Sequence, residues 1–288
     1  EPAVTDPGVT GLGHALDWAG RGAPMSNSLA GHSMFDLKPK DFEQVSMPID
    51  RLDLPASREI HVWFLGLGRL ARSLRGALDG HVGTEDATPF TRGQMRFTRL
   101  FFLRLLLGAY LGIPGKSVRI NRSVRGKPML DASAHPEDLH FSMAKSGEQV
   151  LIGFASGVHL GVDLEPAGRR AHNPLGVARR YFSPEESAAL AALAPSLVNE
   201  AFVRAWACKE AVVKASGQGI ANEFGRFSVE TDLARPVAVV ASENEPPEHW
   251  TLSLLQPQDG FLGAVACPSP GMAVSARQLL PLRQPASR

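Results

Sequence analysis

The chain has 288 residues, of which 44% are hydrophobic and 20% charged, and its formal net charge at pH 7 is +1. This composition is typical of a globular protein with a sizeable apolar core, and the small net charge gives no reason to expect a nucleic acid or a membrane as a partner. Two cysteines are too few for a disulfide scaffold or a cysteine-built zinc site, so we expect two buried free thiols. No signal segment opens the sequence and no apolar run is long enough to span a membrane, so we expect a cytoplasmic protein.

The chain divides into four predicted segments. Residues 1–57 are rich in Gly, Pro, Ser and Asp, and we expect a loosely structured accessory extension. Residues 58–160 and 161–275 each contain helical and strand patterns, which predicts an N-terminal and a C-terminal α+β subdomain. Residues 276–288 are expected to form a frayed tail.

Strand and helix patterns alternate along the N-terminal subdomain. The β-branched and aromatic run EIHVWFLGL (59–67) predicts a strand, and Phe97 to Leu111 predicts a helix closed by Gly112. The alternating stretch 117–123 predicts a further strand. Residues near Gln149–Phe154, a turn, and a second strand from Val158 read as a hairpin.

The C-terminal subdomain is predicted to contain helices and then strands. Ser183 is an N-cap candidate with Pro184 and Glu186 behind it, which is the pattern of a capping box. The helix AWACKEAVVKAS (205–216) follows. Three strand candidates come next, at FGRFSVE, HWTLSLL and FLGAVAC, the last two separated by a turn at Asp259-Gly260.

Charge is distributed unevenly. From Arg92 to Lys127 the chain has nine basic residues and no Asp or Glu, and acidic residues return from Asp131 onward. A basic block followed by an acidic block favours an anionic ligand held partly by Lys and Arg and partly through a cation. The alternative is a set of solvated surface charges.

The stretch GVDLEP (161–166) is a candidate metal-ligating strand. Alternate side chains of a strand share a face, so Val162 and Leu164 should point one way and Asp163 and Glu165 the other. Two neighbouring carboxylates repel unless a cation lies between them, and their oxygens suit Mg²⁺ or Mn²⁺. A solvated polar face is the alternative for this pair alone.

The helix 205–216 supplies a third carboxylate. Trp206, Glu210 and Lys214 are spaced i, i+4, i+8 and lie along one stripe. They could form only a core anchor and an ordinary i,i+4 ion pair of about 0.3–0.5 kcal/mol. Lys209 beside Glu210 favours a metal–phosphate site instead, with the acid on the cation and the lysines on phosphate oxygens.

Four short motifs in order and at conserved spacing resemble the phosphopantetheinyl transferases of the surfactin-synthetase-activating (Sfp) type. The family patterns G-[IV]-D-[IL]-E, F-[ST]-x-x-E and W-x-x-K-E-[AS]-x-x-K match Gly161–Glu165, Phe182–Glu186 and Trp206–Lys214. An upstream G-K-P matches Gly126–Pro128, and Gly217 and Gly219 follow the third motif. The similarity covers about residues 59–270.

The resemblance implies an α+β fold of two similar subdomains, a pseudo-dimer, with the active site in the cleft between them. It implies transfer of the 4′-phosphopantetheine arm of coenzyme A to a serine of an apo acyl or peptidyl carrier protein, with Mg²⁺ (or Mn²⁺). The implied metal ligands are Asp163, Glu165 and Glu210, and the implied catalytic residues are Glu210, Lys214 and Glu165. The implied coenzyme A contacts are Gly126, Lys127, Pro128, Lys145, Ser146, Lys209, Lys214, Arg92 and Arg96.

One segment departs from the family pattern. The family has N-[IVL]-S-H-S-G where this chain has Ser142 to Gly147, with Ala144 and Lys145 in place of Ser and His. Lys145 keeps a cation that does not titrate near neutral pH, whereas Ala144 loses a hydroxyl donor. The expected function is that of a transferase that acts as a monomer. Two alternatives stay open, namely a coenzyme A or carrier-binding module with weakened turnover and a Mg²⁺-dependent pyrophosphate hydrolase.

Overall fold

The computed structural model describes residues 18–21, 28–29, 32–79, 90–217 and 223–282, with the side chains of 34–76, 90–217 and 223–282. The helices are α1 Leu67–Asp79, α2 Arg92–Leu111, α3 Pro174–Tyr181, α4 Pro184–Ala192 and α5 Pro195–Ser216. The strands are β1 Trp18–Arg21, β2 Ser28–Leu29, β3 His32–Ser33, β4 Glu43–Ser46, β5 Glu59–Gly66, β6 Ile120–Arg122, β7 Pro128–Leu130, β8 Leu139–Ser146, β9 Gln149–Ser156, β10 Gly161–Pro166, β11 Arg169–Ala171, β12 Phe227–Val229, β13 Val239–Ser242, β14 Thr251–Leu255, β15 Phe261–Cys267 and β16 Ala273–Leu280.

Two sheets carry the fold. The larger has five strands in the order β4-β16-β5-β9-β8, with β16 parallel to both of its neighbours and the remaining pairs antiparallel. The smaller has three antiparallel strands in the order β10-β15-β14. The described residues therefore form the expected α+β fold.

The two sheets pack against each other, and each has a long helix on its outer face. Trp63 and Leu65 of β5 pack in one cluster with α1 and α2, whereas Val62 and Phe64 pack in another with β10 and β15. Helix α5 covers the opposite face of the small sheet. Both α2 and α5 end in a left-handed glycine. This repeated arrangement of sheet and long helix confirms the expected two similar subdomains.

Most of the predicted elements are confirmed with adjusted ends. Helix α2 begins at Arg92, earlier than expected, because Thr91 and Gln94 form a capping box. Ser183 and Glu186 form the predicted box at the start of α4. Both cysteines are buried free thiols, as expected. Within the described residues, no helix is both long and apolar enough to cross a membrane.

The predicted hairpin near residues 149–166 is wrong. Strand β9 pairs with β5 and β8, whereas β10 pairs with β15 in the other sheet. The hairpin is instead β8–β9, closed at Gly147, whose φ is 59°. The residues after β9 carry the chain from the first sheet to the second, so a turn that looked local in sequence is a connection between subdomains.

The expectations for the two ends of the chain are also corrected. Within the predicted loose extension, β4 is an edge strand of the large sheet, and Phe35, Phe42 and Met47 are buried. Within the predicted tail, residues 276–280 belong to β16, which lies between β4 and β5. Apolar side chains such as Leu279, which is fully buried, stabilise this placement. Residues 1–17, 22–27, 30–31 and 283–288 lie outside the described part.

Candidate active site

Helix α5 crosses the molecule as a buried helix. Pro195 stands in its first turn and Gly217, with φ of 69°, caps its end. Every residue from Ala201 to Val213 is buried, because the helix packs against β10 and β15 on one side and against α4 and β12 on another. A charged side chain on this helix therefore needs a specific partner, because water cannot solvate it fully.

Gly161 allows strand β10 to lie close to α5. A Cβ added at this glycine would be 1.9 Å from the carbonyl oxygen of Ala211 and 2.5 Å from the backbone nitrogen of Ala215. Both contacts are with backbone, which cannot move aside without shifting the helix. The first residue of the GVDLE motif is thus explained by helix–strand packing.

Three carboxylates converge where β10 faces α5. The predicted alternation is confirmed, since Val162 and Leu164 pack between the sheets while Asp163 and Glu165 lie on the other face. Glu210 reaches the same place from α5, and all three acids are at most 6% exposed. We call these three residues the acidic cluster.

Two cations partly neutralise the acidic cluster. The Nζ of Lys214 lies 2.6 Å from Oδ1 of Asp163 and 3.4 Å from Oε2 of Glu210. The guanidinium of Arg169 donates a hydrogen bond to Oε2 of Glu165. Sequence reasoning missed Arg169, although a basic residue four positions after Glu165 was a usable signal.

Burial and mutual repulsion shift the proton affinities in this cluster. Burial, reinforced by the carboxylate of Asp163, raises the pKa of Glu165 to about 8. Burial likewise raises the pKa of Glu210 to about 7, although Lys214 opposes this shift. Burial alone would lower the pKa of Lys214, but the carboxylates around it raise that pKa above its ordinary value. The two glutamates therefore hold their protons more readily than free carboxyl groups do.

The donor chemistry of the acidic cluster suits a hard divalent cation. The Oδ2 atom of Asp163 is buried and has no hydrogen-bond partner among the described residues, so one ligand oxygen is unused. Among the described residues, however, no group of three or more His, Cys, Asp and Glu has the geometry of a formed metal site. The positions of Lys214 and Arg169 give a physical reason, because their cations already contact all three acids.

Lys209 does not join the acidic cluster, and its predicted role in phosphate binding is corrected. Its side chain is fully buried and its Nζ donates to Oε2 of Glu186 at 2.7 Å and to the carbonyl oxygen of Phe227 at 2.6 Å. Lys209 and Lys214 are five residues apart, about 140° around an α-helix, so they project from different faces. Lys209 holds α5 against α4 and β12.

The β6–β7 hairpin brings Lys127 to the end of α5. Gly126 turns the hairpin with φ of 83°, and the Nζ of Lys127 donates to the carbonyl oxygens of Leu160 at 3.1 Å and Lys214 at 2.6 Å. Burial, with a smaller effect of the Lys214 charge, lowers the pKa of Lys127 to about 8. A cavity of about 310 Å³ adjoins this lysine, lined among others by Pro128, His140, His159 and Ala215.

Comparison with known proteins identifies the family. The model of the 4'-phosphopantetheinyl transferase superfamily matches residues 159–266. The 4'-phosphopantetheinyl transferase HetI of Nostoc sp. is 31% identical over 215 residues, which cover 73% of this chain and 88% of that protein. The chain belongs to the 4'-phosphopantetheinyl transferase superfamily. A putative 4'-phosphopantetheinyl transferase of Synechocystis sp. is 30% identical over 160 residues, covering 56% of this chain and 63% of that one. The transferase Sfp of Bacillus subtilis is 25% identical over 145 residues, covering 50% and 62%.

The region matched by the family model contains the whole acidic cluster of this transferase, together with Arg169 and Lys214. The two subdomains meet beside it, since the backbone nitrogen of Val162 in β10 donates to the hydroxyl of Ser142 in β8 at 3.1 Å. Lys127 joins them again at the end of α5. The candidate active site therefore lies at the junction of the subdomains, as expected.

The remaining predicted coenzyme A contacts lie outside the acidic cluster. Lys145 is exposed and Ser146 half-buried at the end of β8. Arg92 and Arg96 are exposed in the first turns of α2, on the outer face of the large sheet. Their contacts with coenzyme A stay predictions. Gly219 of the third motif lies outside the described residues.

Proposed function

We propose that this transferase moves the 4′-phosphopantetheine group of coenzyme A to a serine hydroxyl of an apo acyl or peptidyl carrier protein and releases 3′,5′-ADP. The observation that carries the proposal is the acidic cluster, three buried carboxylates on two elements with Lys214 between them. A protein that only bound the nucleotide would gain nothing from three acids that repel each other.

The acids would serve two purposes. Asp163, Glu165 and Glu210 would hold Mg²⁺ or Mn²⁺, and the bound cation would neutralise charge on the pyrophosphate of coenzyme A. Glu210 would accept the serine proton, directly or through a water molecule, and Glu165 is the alternative base.

The proposed reaction balances without another reactant. The serine oxygen forms a bond to the β-phosphorus of coenzyme A, the bond from that phosphorus to the 3′,5′-ADP oxygen breaks, and a carboxylate takes the serine proton. Lys214 would contact the leaving phosphate. Lys127, beside the 310 Å³ cavity, would lie against the nucleotide.

The proposal also extends to the oligomeric state and the cellular compartment of the protein. We infer a monomer that works in the cytoplasm, since the two buried free thiols suit a reducing compartment. The expected protein substrate is a folded carrier domain that presents a serine for modification.

The test is to incubate the purified protein with Mg²⁺, coenzyme A and a panel of apo carrier proteins, and to follow each carrier by intact mass. We expect the mass of one phosphopantetheine to be added to at least one carrier. Cleavage of coenzyme A without any carrier adduct would support the hydrolase alternative, and binding of coenzyme A without cleavage would support the weakened binding module.

A further inference from the structure

The ammonium of Lys214 occupies the centre of the acidic cluster. It touches Asp163 at 2.6 Å and Glu210 at 3.4 Å, and the side chain is only 15% exposed. An ammonium group placed between two buried carboxylates does electrostatically what a bound divalent cation would do. It is nevertheless a poorer match, because it supplies one positive charge rather than two.

The charges within the cluster do not balance. Three carboxylates face two cations, Lys214 and Arg169, and Oδ2 of Asp163 has no hydrogen-bond partner. A buried ion pair kept only for stability satisfies its polar atoms, because each unsatisfied one costs free energy. The unused oxygen, together with one more carboxyl group than there are cations, marks the cluster as a site that is able to take up a further cation.

The backbone around Lys214 is held, so only its side chain can move. The Nζ of Lys127 donates to the carbonyl oxygen of Lys214 at 2.6 Å, and the backbone nitrogen of Gly217 donates to the carbonyl oxygen of Val213 at 3.2 Å. The close approach of Gly161 locks the same turn of α5 against β10. The flexible four-carbon stem of a lysine can relocate its ammonium without moving the helix.

We propose that Lys214 is a displaceable internal counterion, whose ammonium fills the acidic cluster in the cation-free protein and moves to a phosphate of coenzyme A when a divalent cation enters. The inference rests on the metal site of the proposed function. A displaced, poorly solvated ammonium needs another anion, and the phosphate provides it. Cation and coenzyme A must therefore each strengthen the binding of the other, because coupling between two sites is reciprocal.

The experiment measures Mn²⁺ affinity of the full chain by electron paramagnetic resonance, at mildly alkaline pH, with and without coenzyme A and in the absence of carrier. In the wild-type protein, coenzyme A should tighten Mn²⁺ binding about tenfold or more. In Lys214→Met, Mn²⁺ alone should bind about tenfold more tightly than in the wild type, and coenzyme A should add little. Lys40→Met, which removes an exposed lysine outside the basic block, is the matched control and should behave as wild type.

Equal or weaker Mn²⁺ binding by Lys214→Met would overturn the inference, as would undiminished coupling to coenzyme A. Circular dichroism establishes that the variant is folded. If it is not, Lys214→Gln replaces it and should show the same tighter Mn²⁺ binding and the same loss of coupling; Mn²⁺ affinity and coupling like those of the wild type would count against the proposal. Carrier labelling by a wild type that binds no Mn²⁺ would overturn the inference and leave the transferase function standing. Tight Mn²⁺ binding without carrier labelling would overturn the proposed function alone.

Discussion

Helix α5 carries two ion-paired lysines with opposite surroundings, Lys209 and Lys214. On one side lies what we call the Lys209 cluster, in which one cation meets one acid. It consists of Lys209, Glu186, Ser183 and Ser228. Both oxygens of Glu186 are used, Oε1 by the nitrogen of Val229 and Oε2 by Lys209 and the nitrogen of Ser183. The ring of Phe227 lies 4.1 Å from the Nζ of Lys209 and adds a cation–π contact.

On the other side, the acidic cluster is incomplete. It has three acids against two cations, one oxygen without a partner, and two glutamates whose pKa values are raised by burial. The carboxylates of both clusters are buried, so the burial of the acids does not distinguish them. The satisfied cluster stabilises the helix and the unsatisfied one is available for chemistry.

Loss of Lys209 should have the largest effect on stability. Lys209→Met leaves Glu186 as an unpaired buried charge, and we expect a loss of about 3–5 kcal/mol in the free energy of unfolding. Urea denaturation checks this value. Lys214→Met is the matched variant and should cost clearly less, because neighbouring glutamates can take up a proton. A stable but inactive Lys209→Met would break the comparison by placing Lys209 in the chemistry.

Glu210→Gln should affect activity much more than stability, the opposite of what we expect for Lys209→Met. It removes a proposed base and metal ligand from a repulsive site, so we expect carrier modification to fall by about a hundredfold or more with little loss of stability. Measured without a divalent cation, the affinity for coenzyme A should stay close to that of the wild type. Labelling rates by intact mass and a thermal melt on the same sample check both halves of the prediction, and transfer at the wild-type rate would remove Glu210 from the mechanism.

Gly161→Ala tests whether the distance between β10 and α5 matters. The new Cβ would overlap the carbonyl oxygen of Ala211, so we expect a loss of about 1–3 kcal/mol together with weakened activity, as the acids move apart. Gly225→Ala is the control, because its Cβ would meet only the carbonyl oxygen of Tyr181 at 3.7 Å. Wild-type stability and activity in Gly161→Ala would contradict the packing argument.

His61 is a buried, hydrogen-bonded group outside both clusters, and we expect a smaller effect on stability from it. Its Nδ1 lies 2.9 Å from the hydroxyl of Tyr110, and burial, followed by the Arg277 charge, lowers its pKa below the ordinary 6.5. The unfolded chain therefore binds more protons as the pH falls below about 6.5, and His61 should make folding stability decline there. Urea midpoints of the wild type and His61→Gln between pH 7 and pH 5 should converge, and parallel curves would contradict the assignment.

Local sequence patterns predicted the parts of the site that depend on local geometry. The alternation along GVDLE placed Asp163 and Glu165 on one face, and the capping box at Ser183 began α4 where expected. Glu210 and Lys214, four residues apart on α5, form the ion pair that their spacing predicts, at 3.4 Å. These features follow from the periods of strand and helix alone.

Partners distant in sequence could not be predicted in the same way. Lys209 looked like a phosphate ligand because its acid, Glu186, lies 23 residues away in another motif. Strand β16 looked like a tail because its place between β4 and β5 is fixed by residues more than 200 positions earlier. Non-local pairing of this kind is set by tertiary packing, which a single sequence does not display.

Asp163→Asn is the most direct test of whether the protein transfers phosphopantetheine at the acidic cluster. Asparagine keeps the shape of the side chain and removes its charge. With coenzyme A, Mg²⁺ and an apo carrier that the wild type modifies, intact mass should show the phosphopantetheine adduct for the wild type and none for a folded Asp163→Asn over the same time. An adduct formed at the same rate by both proteins would contradict the account.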